Sequence, residues 1–306
     1  MTSDRIAQVI EFLLRHDVRI RGARTDHPWE AKMGMMTGAD ELADGLGELV
    51  SLKELSCSQT DLSDEGLAKL KNLTRLEILE LSDTHITCAG LAHLDRMTNL
   101  RDFACSSCGL GDAGMERISK WSQLKELSAG YNNVTNVGML HLANLTSLAR
   151  LDLLGNPITG GVVLEPCSRL SNLRSLCLED TQIDDEGLAF LREFKVLEKL
   201  FLGRTRVTDK GVREMVSPIA SLRCLALNKS GLTDAGVEAI SGLPLLDTLF
   251  LDHTKVTRTC FEYLARIPTL RILDLTGTAI PKSAARRFKR ACPDCDVFFF
   301  RPRPRS

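Results

Sequence analysis

A chain of 306 residues with 39 Lys and Arg against 40 Asp and Glu is close to neutral, which excludes wholesale attraction to nucleic acid or to a membrane surface. Its 43% hydrophobic content allows a sizeable core, and with 11 Phe, 2 Tyr and 2 Trp that core is expected to be aliphatic. No stretch approaches about 18 uninterrupted apolar residues, and Glu11 breaks the apolar run of the opening segment, so neither a membrane span nor a secretory signal is expected.

Taken in order, Asp4 to Arg15 places Ile6, Val9, Ile10, Leu13 and Leu14 on one helical face, and a degenerate unit is expected over about Pro28 to Leu49. From Leu52 a pattern L-x-x-[LF]-x-[LCA]-x-x-[TNCS] opens at Leu76, Leu100, Leu124, Leu148, Leu173, Leu197, Leu222, Leu246 and Leu270, always 24 or 25 residues apart. Each unit changes period midway. Leu79 and Leu81 alternate with Ile78, Glu80 and Ser82 at strand spacing, whereas Leu91, Leu94 and Met97 recur at helix spacing. One strand and one helix per repeat are predicted. Between them stands a [ST]-[DN]-x-G turn, as in Ser63 to Gly66, Thr135 to Gly138, Thr208 to Gly211 and Thr233 to Gly236. The hydroxyl can cap the helix, Asp suits its positive end, and Gly allows a close neighbour. Repeat five departs from this with Thr159-Gly160-Gly161-Val162 and Pro166, so an irregular segment is expected there. Continuing the frame beyond Leu270 places Val297 and Phe299 inward, predicting a closing strand before a basic tail at 301–306.

The pattern LxxLxLxxTxITDxGLxxLxxL resembles the leucine-rich repeat family, most closely its ribonuclease-inhibitor-like and GALA-type branches. The resemblance covers about residues 46 to 300, and RFKRACPDCDVFFF is similar to how many such solenoids end. It implies an α/β leucine-rich repeat solenoid, a horseshoe with its parallel sheet on the concave face and helices on the convex face. Residues 1 to 45 are then expected to be a helical cap covering the open core edge. Some relatives carry an F-box before such repeats. That implies an alternative, the substrate-selecting adaptor of a ubiquitin-ligase-type complex, although no Leu-Pro opening is present here.

Features suggestive of chemistry have structural explanations. The ninth column, from Thr60 and Thr84 through Cys108, Asn132 and Asn156 to Thr278, reads as a ladder that satisfies buried backbone at the strand exits. Ten cysteines without an export signal are expected to be reduced, in a cytoplasmic setting. The pairs Cys105/Cys108 and Cys292/Cys295 lie eight repeats apart and cannot share a zinc ion. Hydrolase, zincin, P-loop and dinucleotide motifs are absent from the sequence, and the 6 histidines fall on scattered registers. No enzyme activity, cofactor or metal is expected.

The outward columns, the third, fifth, seventh and eighth of each unit, carry the specific information. They supply Glu54, Glu80, Asp83, Asp102, Glu126, Asp152, Glu179 and Asp180 against the single cation Arg150, then Lys199, Arg204 and Lys229, then Asp252 and Asp274. An acidic concave wall repels phosphates and steers a basic or mixed-charge protein segment. Expected partner-binding residues are Tyr131, Phe201 and Phe250 as aromatic anchors, with Asp152, Leu154, Glu179, Asp180, Arg204, Asp252 and His253 around them. The function expected is a non-catalytic recognition scaffold for a protein partner, with neither nucleic acid nor membrane as a partner of the chain; the oligomeric state is left open.

Overall fold

The computed structural model describes residues 2–23, 27–160 and 167–299. The chain divides into two compact units, 1–151 and 152–306, and in each the strands follow one another in sequence order. The irregular segment expected in repeat five falls largely outside the described residues, as does the basic tail at 301–306.

The first unit opens with α1 (Ser3–Arg15), whose Val9, Ile10 and Leu13 are buried as the periodicity predicts, whereas Ile6 is half-buried and Leu14, expected on the same face, is 48% exposed. The segment after it is not purely helical: β1 (Arg19–Arg21) and β2 (Glu30–Lys32) form an antiparallel pair, and β2 then pairs in parallel with β3 (Glu54–Ser56). The degenerate unit therefore supplies a real strand, followed by α2 (Ala39–Glu48). The side chains of Val9 and Leu13 pack on Gly45 of α2. Parallel pairing continues through β4 (Ile78–Glu80), β5 (Asp102–Ala104) and β6 (Glu126–Ser128), with β7 (Arg150–Asp152) following. The second unit contains β8 (Ser175–Cys177), β9 (Lys199–Phe201), β10 (Cys224–Ala226), β11 (Thr248–Phe250), β12 (Ile272–Asp274) and β13 (Asp296–Phe298), all parallel. In β13, Val297 faces Leu273 in register, the closing strand the repeat frame predicts.

Each strand is three residues long because only its middle residue and the next-but-one point inward. Leu176, Leu200, Leu225, Leu249 and Leu273 form one buried column, and Leu178, Leu202, Leu227, Leu251 and Leu275 the next, none more than 1% exposed. The ladder closes each strand exit: Thr181, Thr205, Ser230 and Thr254 each donate a hydroxyl to the carbonyl three residues back, at 2.6 to 2.7 Å. In the first unit Asn132 extends this role, donating Nδ2–H to the Cys105 carbonyl while its Oδ1 accepts from Cys108 and Leu110 N–H.

The helical side is less uniform than one helix per repeat. Regular helices stand at α3 (Asp64–Lys69), α4 (Gly111–Ile118), α5 (Asn136–Leu142), the short α6 (Asp209–Gly211), α7 (Asp234–Ile240), α8 (Cys260–Leu264) and α9 (Lys282–Ala291). Gly90–Leu94 and Glu186–Glu193 are instead 3-10 turns, and Val212–Val216 is a π turn. Such turns satisfy short helix ends with tighter or wider hydrogen bonds when few residues separate two strands. Among the described residues no helix is long and apolar enough to cross a membrane.

The turn between strand and helix links consecutive repeats. Ser63, Thr135, Thr208 and Thr233 cap their helices by accepting from the N–H two residues on. Each also donates its own N–H and hydroxyl to the Asp one repeat earlier, respectively Asp40, Asp112, Asp185 and Asp209. Asp64 binds Thr87 and Asp234 binds Thr257 in the same way. The Asp thus does more than favour the helix dipole, and where the acceptor is missing so is the donor: Cys88 precedes Gly111, and Arg258 precedes Pro281. The Gly of the turn makes room for that carboxylate. A Cβ on Gly90 would stand 2.0 Å from Asp64 Oδ1 and meets nothing else as close. Gly90→Ala, a change worth about 1 kcal/mol of stabilisation in an open helix, is therefore expected to destabilise by about 1–3 kcal/mol. Asp64→Ala added to it should recover part of that loss, read as a non-additive double-mutant cycle in urea unfolding. Purely additive losses would mean that the carboxylate is not what Gly90 accommodates.

Candidate functional site

On the outward face of the second unit, the fifth column brings Cys177, Phe201, Ala226, Phe250 and Asp274 side by side in strand register. Phe201 and Phe250 stand two strands apart, about 10 Å. Between them Ala226 is only 3% exposed, so the two rings wall a shallow apolar furrow with a methyl floor. Both rings are half-buried, not fully exposed as expected, because they cover this small neighbour. Burial pushes the Cys177 thiol up to about 12 and the Cys224 thiol up to about 11, so neither offers a thiolate at neutral pH.

The furrow ends at carboxylates. Asp274 adjoins Phe250, and Asp252 lies in the neighbouring column with its carboxyl held above the usual range, first by burial and then by repulsion from Asp274. His253 and Lys229 offset only part of this. Asp274 also accepts from Thr276 N–H at 2.8 Å, and other acids of this unit's face have partners as well. Glu179 accepts a hydrogen bond from Asn228 Nδ2 at 3.1 Å, reaching across the intervening strand. Gly203 permits the reach, since a Cβ there would sit 2.3 Å from Glu179 Oε1. Asp180 pairs with Arg204 at 3.8 Å, and Asp152 accepts from Leu154 N–H at 2.9 Å, with Leu154 half-buried.

The eighth column has a backbone role as well. Asp180, Arg204, Lys229 and His253 all have φ between 53° and 56°, left-handed values that side chains seldom adopt. The bend fixes the direction in which these side chains leave the strand. The His253 ring lies against Gly277, where a Cβ would approach its Nδ1 and Cε1 to 2.4 Å. In the first unit Tyr131 occupies the same left-handed position, with φ 52°, and is 49% exposed.

The first unit's face carries a separate acidic row. Glu54, Ile78, Asp102 and Glu126 are neighbours in register, and Arg150, the one cation expected there, is bound to Glu126. Asp102 is half-buried, and burial, then Glu126 and Glu80, push its carboxyl up to about 6. Folded Asp102 thus holds its proton more tightly than in the unfolded chain, so the ionised form costs stability as pH rises from about 4 through about 6. Asp102→Asn should raise the thermal midpoint at pH 8 by about 2–4 °C, allowing for solvent screening of the half-exposed carboxyl, and leave it unchanged at pH 4. Equal shifts at both pH values would remove the electrostatic explanation.

Cys108 takes its ladder place, its Sγ directed at the Leu81 carbonyl at 3.2 Å, and Cys105 is fully buried. Among the described residues no three Cys, His, Asp or Glu side chains converge on a metal site.

Residues 169–191 and 220–241 match the family model described as a leucine-rich repeat. The chain has the leucine-rich repeat fold. Solved structures with the same fold include an internalin of Listeria monocytogenes, 20% identical over 98% of this chain and 95% of that one, TM-score 0.66. A leucine-rich repeat protein of Leptospira interrogans is 18% identical over 84% of this chain and 62% of its own, TM-score 0.59. The plant peptide hormone receptor RGFR1, in complex with RGF2, is 14% identical over 84% of this chain and 49% of its own, TM-score 0.54. No curated protein matches the chain in sequence.

Within this leucine-rich repeat fold, the expected partner residues of 152–253 share one strand face, and Tyr131 stands in the other unit. Residue-by-residue reading missed Ala226, Asn228 and Gly203. Their signal was present in the alternation Phe201, Ala226, Phe250 down one column, and in a lone Gly between Glu179 and Asn228 down the next.

Proposed function

We propose that the chain is a non-catalytic recognition scaffold that holds a basic or mixed-charge protein segment on the strand face of its second unit. The observation that carries this reading is the furrow of Phe201, Ala226 and Phe250 ending at the Asp252 and Asp274 carboxylates, whose mutual repulsion a partner's cation relieves. An apolar anchor site with two mutually repelling carboxylates at its edge suits a side chain with an apolar stem and a cationic head. The likeness to a plant peptide hormone receptor in complex with RGF2 accords with a polypeptide ligand. Residues 1–45 we assign to capping, supported by the burial of α1 on α2.

The test is affinity capture with the full chain beside Asp252→Asn/Asp274→Asn. The expected result is a partner retained by the wild type whose association slows in the variant, with weaker salt dependence. Because a cation favours ionised Asp252, wild-type binding should strengthen as pH rises through that group's raised pKa, and the variant should lose the dependence. A partner held equally by both would place recognition elsewhere.

A further inference from the structure

Charge is segregated along this chain. Residues 255–306 carry 12 Lys and Arg against 4 Asp and Glu, so the preceding 254 residues carry 27 against 36. The near-neutral total therefore conceals a stretch of net +8 at one end. Within the described residues the excess is concentrated on α9 and its neighbour α8. Arg286, Arg287 and Arg290 are exposed on α9, and Arg258 and Arg266 are exposed at the two ends of α8. Lys282, Arg286 and Arg290 recur every four residues, a row of cations with a spacing of about 6 Å along one side of the helix.

Two features narrow the partner. Some cations elsewhere are paired, as in Arg5 with Glu48, Lys53 with Glu77, and Arg174 with Glu198, and on α9 Lys289 is held by Asp296 at 3.0 Å. Among the described residues Arg286, Arg287 and Arg290 form no ion pair, and Glu262 is the only acid on α8 or α9. The apolar side of α9 is already used. Ala285 and Phe288 are buried, and the Phe288 ring stacks on Phe261 of α8 at 4.7 Å. No apolar stripe is left to enter a bilayer, as an interfacial helix requires. Nor does the exposed face of α9 offer the apolar anchor at the centre of a protein interface. A surface that presents only guanidinium forks fits a partner that presents only regularly spaced oxyanions.

We infer that the exposed arginine face of α9, with the flanking cations of α8, binds the phosphate backbone of a nucleic acid without reading its bases. This surface is separate from the acidic strand faces, which repel phosphate, and it does not depend on the recognition function proposed above.

The full chain is titrated into fluorescein-labelled oligonucleotides of about 20 nucleotides, single-stranded and duplex, from about 50 mM salt upward. Wild type should bind both, with affinity falling linearly on a log-log salt plot. Arg286→Glu/Arg287→Glu/Arg290→Glu should weaken binding at least tenfold and reduce the salt slope by about 2, since each phosphate contact contributes about 0.7–0.9. The matching triple change to Lys should retain binding. These side chains are exposed, so thermal midpoints should agree. If the triple reversal does not fold, Arg286→Glu and Arg290→Glu are read singly, each expected to weaken binding two- to fivefold. Absence of wild-type binding, or binding indifferent to the reversals, overturns the proposal. Equal or tighter wild-type binding to phosphatidylserine-containing vesicles or to polyglutamate overturns it too, in favour of a lipid or an acidic protein.

Discussion

Replacing Leu227 by alanine should lower the unfolding free energy by about 2–5 kcal/mol, the range of buried leucine truncations whose surroundings close only partly. Leu227 is fully buried in the sixth column of the second unit, flanked there by Leu202 and Leu251, both also fully buried. Each neighbour is fixed by the hydrogen bonds of its own strand, so the column cannot slide to fill the void. Leu178→Ala, in the same column, should fall in the same range. Urea unfolding is the measurement, and a loss under 1 kcal/mol at both positions would contradict the inward register.

The second large effect concerns recognition. Truncating Phe201 or Phe250 to alanine removes one wall of the furrow and should raise a bound partner's dissociation rate, costing about 2 kcal/mol or more, some 30-fold in affinity. The rings also shelter Ala226, so a stability loss of about 1 kcal/mol is expected alongside. The measurement is therefore dissociation kinetics at a temperature where every variant is folded, with Ile272→Ala as the control. Ile272 is 37% exposed on the third column of the same face and lies outside the furrow. Unchanged dissociation for both Phe variants would exclude the furrow as the anchor site. An equal effect from Ile272 would indicate that any apolar loss on this face suffices.

The repeat frame was legible because buried columns tolerate so little chemical variety: a leucine recurring every 24 or 25 residues states both the strand and its inward face. The ladder was legible for the same reason, since only a short polar side chain can reach the carbonyl three residues back. The left-handed bend at every eighth position was not, because Gln59, Asp83, Ser107, Tyr131 and Arg204 share no chemistry, and only Gly155 and Gly277 advertise it. Nor were the 3-10 and π turns, which depend on how far apart neighbouring strands hold the ends of each connection. The strand face was legible as a list of charges but not as a set of free charges. Which acids are spent internally depends on reach across strands, and Glu179 reaches Asn228 only because Gly203 lies beneath.

The links from each Asp to the next repeat's Ser or Thr have a direction. In all six, the later repeat supplies the donors and the earlier one the acceptor, so each of these helix starts leans on material synthesised before it, whereas the start of α2 donates forward to Asp61. A chain emerging from the ribosome can complete each of these six turns as it appears, without waiting for the next repeat to be made. Shortening the protein from its C-terminal end between repeats leaves, of such a link, only an aspartate that water solvates readily. Cutting between linked repeats from the other end strips a helix start of its anchor.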